Sequence, residues 1–296
     1  MQRCSIIIST YNRAPLLVHL FDALAAQQPA INAEAGIEII VIDNNGTDDT
    51  ASVVAAAVRK LPVRCVIESR QGLSHARNRG IAEATGDLLV FVDDDVRPDT
   101  RWLHGYLRAA ANFADAGFFG GRIRPYWPQG RPGWVHDENM ELLAGVFGSF
   151  DPGYETRAWQ HGEPGPFGAN FAVRRKLFDA LGGFNPQFGR VGEDLGRGEE
   201  SEFFLRARRA GHTGVYVGAA YCEHRVESIR LRIGALYRYG LASARAHRAL
   251  VDAQAHGSLG GALGYLARGG LQLLKGRGDR FRQCVINAGI QMGLRD

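Results

Sequence analysis

Short, almost unbroken apolar runs alternate with stretches of helical periodicity over the first hundred residues. CSIIIS (4–9), IEIIVI (37–42), VRCVIE (63–68) and DLLVFV (87–92) read as strands, while APLLVHLFDALAAQQ, DDTASVVAAAVRK and LSHARNRGIAEAT between them read as helices. Strands with no alternating polar face are buried on both sides, the mark of a parallel sheet covered by helices. The order strand, helix, strand, helix predicts a doubly wound α/β layer. Pro15 falls in the first turn of the first helix, where its missing N–H costs no hydrogen bond. Leu16, Leu17, Leu20, Phe21 and Leu24 then form that helix's core stripe.

From about Arg124 to Gly168 this pattern dissolves into a segment rich in Pro, Gly and aromatic residues, which predicts long loops with one short helix. Periodicity resumes with NFAVRRKLFDALGG, EESEFFLRARRAG and the strand-like TGVYVG that runs towards His224. From about Ile229 the chain reads as helical, broken at GSLGG and GRG. The expected division is therefore a domain over residues 1–228, with halves 1–123 and 124–228, and a helical extension over residues 229–296.

Composition adds limits. A chain of 296 residues, 45% hydrophobic and 22% charged, can bury a sizeable core. Cys4, Cys65, Cys222 and Cys284 are too scattered for a zinc ribbon or redox motif, and they fit a reducing cytoplasm. The apolar run after the third residue leaves no room for a charged leader, so a cytoplasmic location is expected. No apolar run approaches the roughly 18 residues that cross a bilayer. The formal charge of +4 is uneven: from Arg225 onward there are 12 Lys and Arg against 4 Asp and Glu, a net +8, so the rest carries −4. Solvated basic helix faces and peripheral contact with an anionic membrane surface both account for that tail. No nucleic-acid partner is expected, and room for a homo-oligomer remains.

In an open parallel sheet, ligands bind beyond the carboxyl ends of the strands. Those ends are polar here: Thr10, Tyr11, Asn12 and Arg13 follow the first strand, Asp43, Asn44, Asn45 and Gly46 the second, and Asp93, Asp94 and Asp95 the fourth. Three adjacent carboxylates repel each other unless a cation or donor network holds them. Hard oxygen ligands of this kind imply Mg²⁺ or Mn²⁺. Alternation along an extended segment predicts Asp93 and Asp95 on one side and Asp94 on the other. The bland alternative is an acidic turn ahead of a helix starting near Thr100. Neither GxxxxGK[ST] nor a GxGxxG after the first strand is present, so a metal is left to neutralise phosphates.

The blocks CSIIISTYNRAPLL, IEIIVIDNNGTDDT, GLSHARNRGIAEATGDLLVFVDDDVRPDTRWL, GANFAVRRKLFDALGGF and GEESEFFLRARRAG, in this order, resemble the family-2 glycosyltransferases. The resemblance runs from about Cys4 to His224. It implies a GT-A fold, in which a Rossmann-like, mostly parallel sheet is flanked by helices, and an inverting enzyme using a nucleotide-diphosphate sugar with Mn²⁺ or Mg²⁺. UDP is the favoured nucleotide. Carried over, Thr10 and Tyr11 line the base pocket, Asp43 accepts from base or ribose, and Arg77 and Asn78 complete that site. Asn12, Arg13, Asn45 and Asp94 stand in the same strand-end loops and are counted with it. Asp93 contacts the ribose or stands beside the metal, Asp95 ligates the metal, and His224 supplies a further ligand. His136, Asp137 and Glu138 form a weaker competing cluster.

Inversion needs a carboxylate to take the acceptor hydroxyl's proton. The family places it in an acidic pair opening a helix, so Glu200 is the base, with Glu199 as the alternative one position earlier; both also suit a first helical turn on dipole grounds. Glu193 and Asp194 spell a similar pair without a helical pattern behind it. Arg197 could assist the leaving diphosphate, Asn170 could meet a sugar hydroxyl, and Trp127, Trp134 and Trp159 could stack on acceptor rings or fill their own loop. The expected partners are a nucleotide sugar and a glycan or lipid-linked acceptor, in cell-surface polysaccharide or glycolipid synthesis. A sugar nucleotidyltransferase and a non-catalytic sugar-nucleotide-binding protein are the competing classes.

Overall fold

The computed structural model describes residues 3–31, 36–136, 140, 143–160, 163, 165–191, 198–251, 259–274 and 278–294. The apolar runs become β1 (Cys4–Thr10), β2 (Ile37–Asp43), β3 (Val63–Ile67) and β4 (Leu88–Asp93). Between them lie α1 (Ala14–Ala25), α2 (Thr50–Ala57) and α3 (Leu73–Glu83). β1 pairs in parallel with both β2 and β4, and β2 with β3. There follow β5 (Val96–Pro98), α4 (Trp102–Asn112), β6 (Phe118–Tyr126), α5 (Ala144–Phe147), β7 (Thr156–Ala158), β8 (Asn170–Arg174), α6 (Arg175–Leu181), α7 (Glu199–Arg209) and β9 (Gly214–Arg225). The strand order is β3-β2-β1-β4-β8-β6-β9-β5, with β7 on β9. The expected parallel layer thus forms one half of a mixed sheet. Beyond it β8 pairs antiparallel with β4 and β6, and β9 antiparallel with β5 and β7.

Two compact units are distinguishable. The first comprises Met1–Arg124, Ser149–Gln187 and Glu199–His224. Its strands send alternate residues to opposite faces: Ile6, Ile8, Ile39, Val41, Val90 and Val92 pack with α1 and α4, whereas Ile7, Ile40, Ile42, Leu89 and Phe91 pack with α3, α6 and α7. α3 lies so close to the sheet that a Cβ at Gly80 would stand 2.4 Å from Ile7 Cγ2.

The second unit comprises Pro125–Gly148, Phe188–Gly198 and Arg225–Asp296. It holds α5, α8 (Ile233–Val251), α9 (Leu259–Leu274) and α10 (Gly278–Gly293). Val135, Leu143, Val146, Phe147, Leu236, Val285 and Ile286 make its core, and α10 packs on both α8 and α9. Among the described residues no helix is long and apolar enough to cross a membrane.

Candidate donor-binding and catalytic site

Register brings the polar strand ends level. Thr10 stands opposite Asp43, and Ser9 opposite Asp93. Asn12 and Asn45 take left-handed backbone conformations, φ 52° and 63°, which asparagine tolerates better than most residues. Their loops lock together: Asn12 Oδ1 accepts from Thr47 N at 2.7 Å, and Asp43 Oδ1 accepts from Gly46 N at 2.8 Å. Asn44 joins the β2 and β3 exits, donating to Arg70 O at 2.8 Å and accepting from Gly72 N at 2.7 Å. Thr10 is buried and its hydroxyl donates to Asp94 Oδ2 at 2.7 Å. Tyr11, 38% exposed, is therefore the member of that pair whose ring can meet a base.

The acidic triplet is divided only in part as strand alternation predicts: Asp93 and Asp95 both act with His224, but Asp95 also shares a partner with Asp94. β4 ends at Asp93 and Asp94 and Asp95 occupy a turn before β5, so the period of two stops there. Arg13 Nη1 bridges Asp94 Oδ1 at 2.9 Å and Asp95 Oδ2 at 3.1 Å, while Asp93 Oδ1 faces Arg77 Nη2 at 3.4 Å. Burial pushes the Asp94 carboxyl up to about 6 against the pull of Arg13. His224 reaches the same place through β9, where it pairs in register with Val96.

Asp95 Oδ1 and His224 Nε2 stand 3.5 Å apart and both side chains are buried. Carboxylate oxygen is a donor for Mg²⁺ and Mn²⁺ alike, whereas an imidazole nitrogen suits a transition ion such as Mn²⁺ better than Mg²⁺. Among the described residues no group of three or more His, Cys, Asp or Glu side chains is gathered tightly enough to hold an ion. The pair would supply two ligands of a divalent cation, fewer than such an ion takes.

Arg77 organises the other side. Its buried guanidinium donates to Glu199 Oε1 at 2.7 Å and Gly168 O at 2.9 Å, and lies 5.4 and 5.6 Å from the ring centroids of Phe171 and Phe184. Glu199 and Glu200 open α7, but Glu199 is buried and Glu200 only partly so. Burial, then the charge of Glu200, push Glu199 up to about 7 against the pull of Arg77. A Cβ at Gly168 would stand 3.1 Å from Arg77 Nη2 and 3.4 Å from Glu200 Oε1, so a side chain here would press the Arg77 guanidinium aside by a few tenths of an ångström.

Two residues expected to meet ligand are engaged within the protein, Asn78 in part and Asn170 wholly. Asn78 donates to Phe184 O and accepts from Phe184 N, both at 2.8 Å. Asn170 is fully buried: Oδ1 accepts from Trp102 Nε1 at 2.8 Å and Tyr106 OH at 2.7 Å, and Nδ2 donates to Ala220 O at 2.8 Å and Arg122 O at 3.2 Å. All its hydrogen-bonding positions hold the sheet interior, which corrects the expectation of a sugar contact. The tryptophans pack on neighbours: Trp127 edge-on to Phe147, Trp159 stacked on Phe150, and Trp134 beneath Arg282. His136 is exposed. Asp137, Glu138, Glu193, Asp194 and Arg197 lie outside the described residues. Asn44 is a site residue to which sequence reasoning assigned no individual role, since it signals itself only as part of the turn-rich DNNG.

The chain matches Glycosyl transferase family 2 over residues 5–182. It is 27% identical to the succinoglycan biosynthesis protein ExoM of Rhizobium meliloti, over 97% of this chain and 91% of that one. It is 25% identical to a glucosyl-dolichyl phosphate glucuronosyltransferase of Haloferax volcanii over 65% of this chain, an alignment spanning 60% of that protein's length. Among solved structures, a mannosyltransferase from Pyrobaculum calidifontis in complex with GDP-Man and Mn²⁺ superposes with a TM-score of 0.68 at 21% identity, covering 99% of this chain and 87% of that one. Glucosyl-3-phosphoglycerate synthase from Mycobacterium tuberculosis, in complex with Mn²⁺, UDP and phosphoglyceric acid, gives 0.55 at 19% identity, covering 85% of this chain and 78% of that one. With a mixed sheet flanked by helices as in these GT-A neighbours and the family's sequence pattern over more than half its length, the chain belongs to the family-2 glycosyltransferases.

Proposed function

We propose that the chain moves a sugar, with inversion, from a nucleotide-diphosphate donor, a UDP-sugar first, to a hydroxyl of a glycan or lipid-linked acceptor. The observation that carries this reading is the division of labour at α7: Arg77 ties Glu199 at 2.7 Å, while the adjacent Glu200 remains partly exposed beside Gly168. Glu200 takes the acceptor proton as that oxygen bonds to the anomeric carbon, and the bond from that carbon to the diphosphate oxygen breaks with its electrons leaving on the nucleotide. Glu199 and Arg77 hold the start of α7, and Arg77 also faces Asp93. Tyr11 and Asp43 receive the base and ribose. Asp95 and His224, with Asp93 nearby, would hold Mn²⁺ or Mg²⁺, which neutralises charge on the departing diphosphate. A relative in succinoglycan biosynthesis and another acting on a glucosyl-dolichyl phosphate support cell-surface polysaccharide or glycolipid synthesis. We place catalysis in residues 1–228, at the cytoplasmic side of a membrane.

A thermal-shift panel of UDP, GDP, dTDP and CDP with and without Mn²⁺ tests the donor site. A ligand at about a hundred times its Kd adds about 2.7 kcal/mol of stability. A shift by one diphosphate that needs Mn²⁺ supports the reading; no shift with any of them refutes it. Mass spectrometry of products then separates sugar transfer from nucleotidyl transfer, which would release pyrophosphate from a nucleoside triphosphate.

A further inference from the structure

We propose that α9 is an interfacial anchor that lies along an anionic membrane surface, with Leu263, Leu266 and Leu271 in the boundary between headgroups and acyl chains. This inference concerns the second unit alone and does not depend on the assignment of the catalytic residues.

At 100° per residue, Leu266, Leu263, Ala267 and Leu271 fall within an arc of about 140° on one side of α9. All four are exposed, the three leucines by 41, 57 and 57%. Ala262, about 100° away from Leu263, is buried, and α9 packs on α10. The amide oxygens of Gln272, opposite Leu263 on the helix, and of Gln283 on α10 are buried. A helix in water turns its apolar stripe inward and its polar residues outward. Over its described residues α9 keeps three leucines outside and a glutamine oxygen inside, which suits a solvent that is apolar on the leucine side.

Length decides between crossing and lying flat. Sixteen residues give a helix of about 24 Å, short of the roughly 30 Å hydrocarbon core, and the sequence LGGALGYLARGGLQLL is interrupted by five glycines. Charge decides between a membrane and a second copy of the chain. Arg268 flanks the leucine arc with its side chain exposed, its guanidinium 4.5 Å from the Tyr265 ring centroid, and Arg280 is exposed near the start of α10. Residues 225–296 carry 12 Lys and Arg against 4 Asp and Glu. Two such surfaces repel each other, whereas anionic lipid attracts one. Amphipathic helices with exposed large aliphatics and flanking arginines bind membranes in this way.

The test is flotation of the full chain with phosphatidylcholine vesicles, with and without phosphatidylglycerol. The chain should float with the anionic vesicles at low salt and its partition should fall about tenfold or more when salt is raised to about 0.5 M. Leu263→Glu and Leu271→Glu should each weaken partition by about tenfold or more with an unchanged circular-dichroism melt, because their side chains are outside the core. Should Leu263→Glu unfold, Leu263→Ser gives the same comparison. Failure to float on anionic vesicles at low salt would overturn the proposal. So would a dimer, seen by sedimentation without lipid, that Leu263→Glu dissociates, since the face would then be a contact between copies.

Discussion

Replacing Arg77 by Met keeps most of the side-chain stem and deletes the guanidinium that donates to Glu199, Gly168 O and Asp93. The cost depends on the proton of Glu199. With Glu199 pushed up to about 7, its carboxyl is mostly protonated below that pH in the native protein. There the variant loses hydrogen bonds to a neutral acid and a carbonyl, and the ring contacts with Phe171 and Phe184, about 2 to 3 kcal/mol together. A carboxyl raised by burial contributes stability that is present below its unfolded value, here 4.5, and lost as pH rises towards the folded value. Both proteins therefore lose stability from pH 4.5 upward. In the wild type this loss ends near 7, where Glu199 ionises against Arg77. In the variant no cation waits for the charge, so the proton is retained and the loss continues at about 1.4 kcal/mol per pH unit.

The difference between the two proteins should thus be about 2 to 3 kcal/mol at pH 6 and larger by about 1 kcal/mol or more at pH 8, the scale of a buried pair broken on one side. Urea unfolding followed by tryptophan fluorescence at pH 6, 7 and 8, with linear extrapolation, measures it. Adding Glu199→Gln to the variant should remove most of the growth with pH and leave the part that comes from Asp93, whose carboxyl also loses the pull of Arg77. A difference that stays flat across this range would refute Glu199 as the titrating partner. A larger difference at pH 6 would mean that Arg77 holds Glu199 ionised and below its ordinary value.

Glu200→Gln should retain donor binding by calorimetry and lose about a hundredfold or more in turnover, with Glu199→Gln losing less; the reverse order would make Glu199 the base. Asp95→Ala should abolish Mn²⁺-dependent binding of a nucleoside diphosphate in the same calorimeter, because it removes one of two close donors, and unchanged affinity with unchanged turnover would take Asp95 out of the metal site. Gly121→Ala should cost about 3 kcal/mol or more in a thermal melt, since the new Cβ would fall 2.2 Å from Asn170 Nδ2 and 2.4 Å from Ala220 O; a melt within a degree of wild type would show that β6 relaxes freely there.

How far the site can be read from sequence follows from which signals are local. The parallel half of the sheet is legible because burial on both faces leaves apolar runs with no polar alternation, and its register then brings Thr10, Asp43 and Asp93 to one edge without further information. The antiparallel half is less so, since β8 and the start of β9 are as apolar as their parallel neighbours and only the second half of β9 alternates buried and partly exposed positions. The same limit governs side chains. That Asp93 faces Arg77 while Asp94 and Asp95 share Arg13 depends on where β4 ends, and a run of three aspartates looks identical whether the strand stops before or after it.

Asn170 shows why residue type at the right place is insufficient. An amide at the start of β8 near the site invites a ligand role, yet Trp102, Tyr106, Arg122 and Ala220, 48 to 68 residues away, satisfy every donor and acceptor it has. Glu199 and Glu200 pose the opposite case. Nothing in GEES distinguishes them, because both suit a first helical turn, and a one-residue step around a helix moves a side chain by about 100°. That rotation aims Glu199 at the buried guanidinium of Arg77 and leaves Glu200 nearer water. A base must exchange its proton with solvent between turnovers, so the less buried carboxylate, held in place by a neighbour that is itself tied down, is the one the geometry favours for that work.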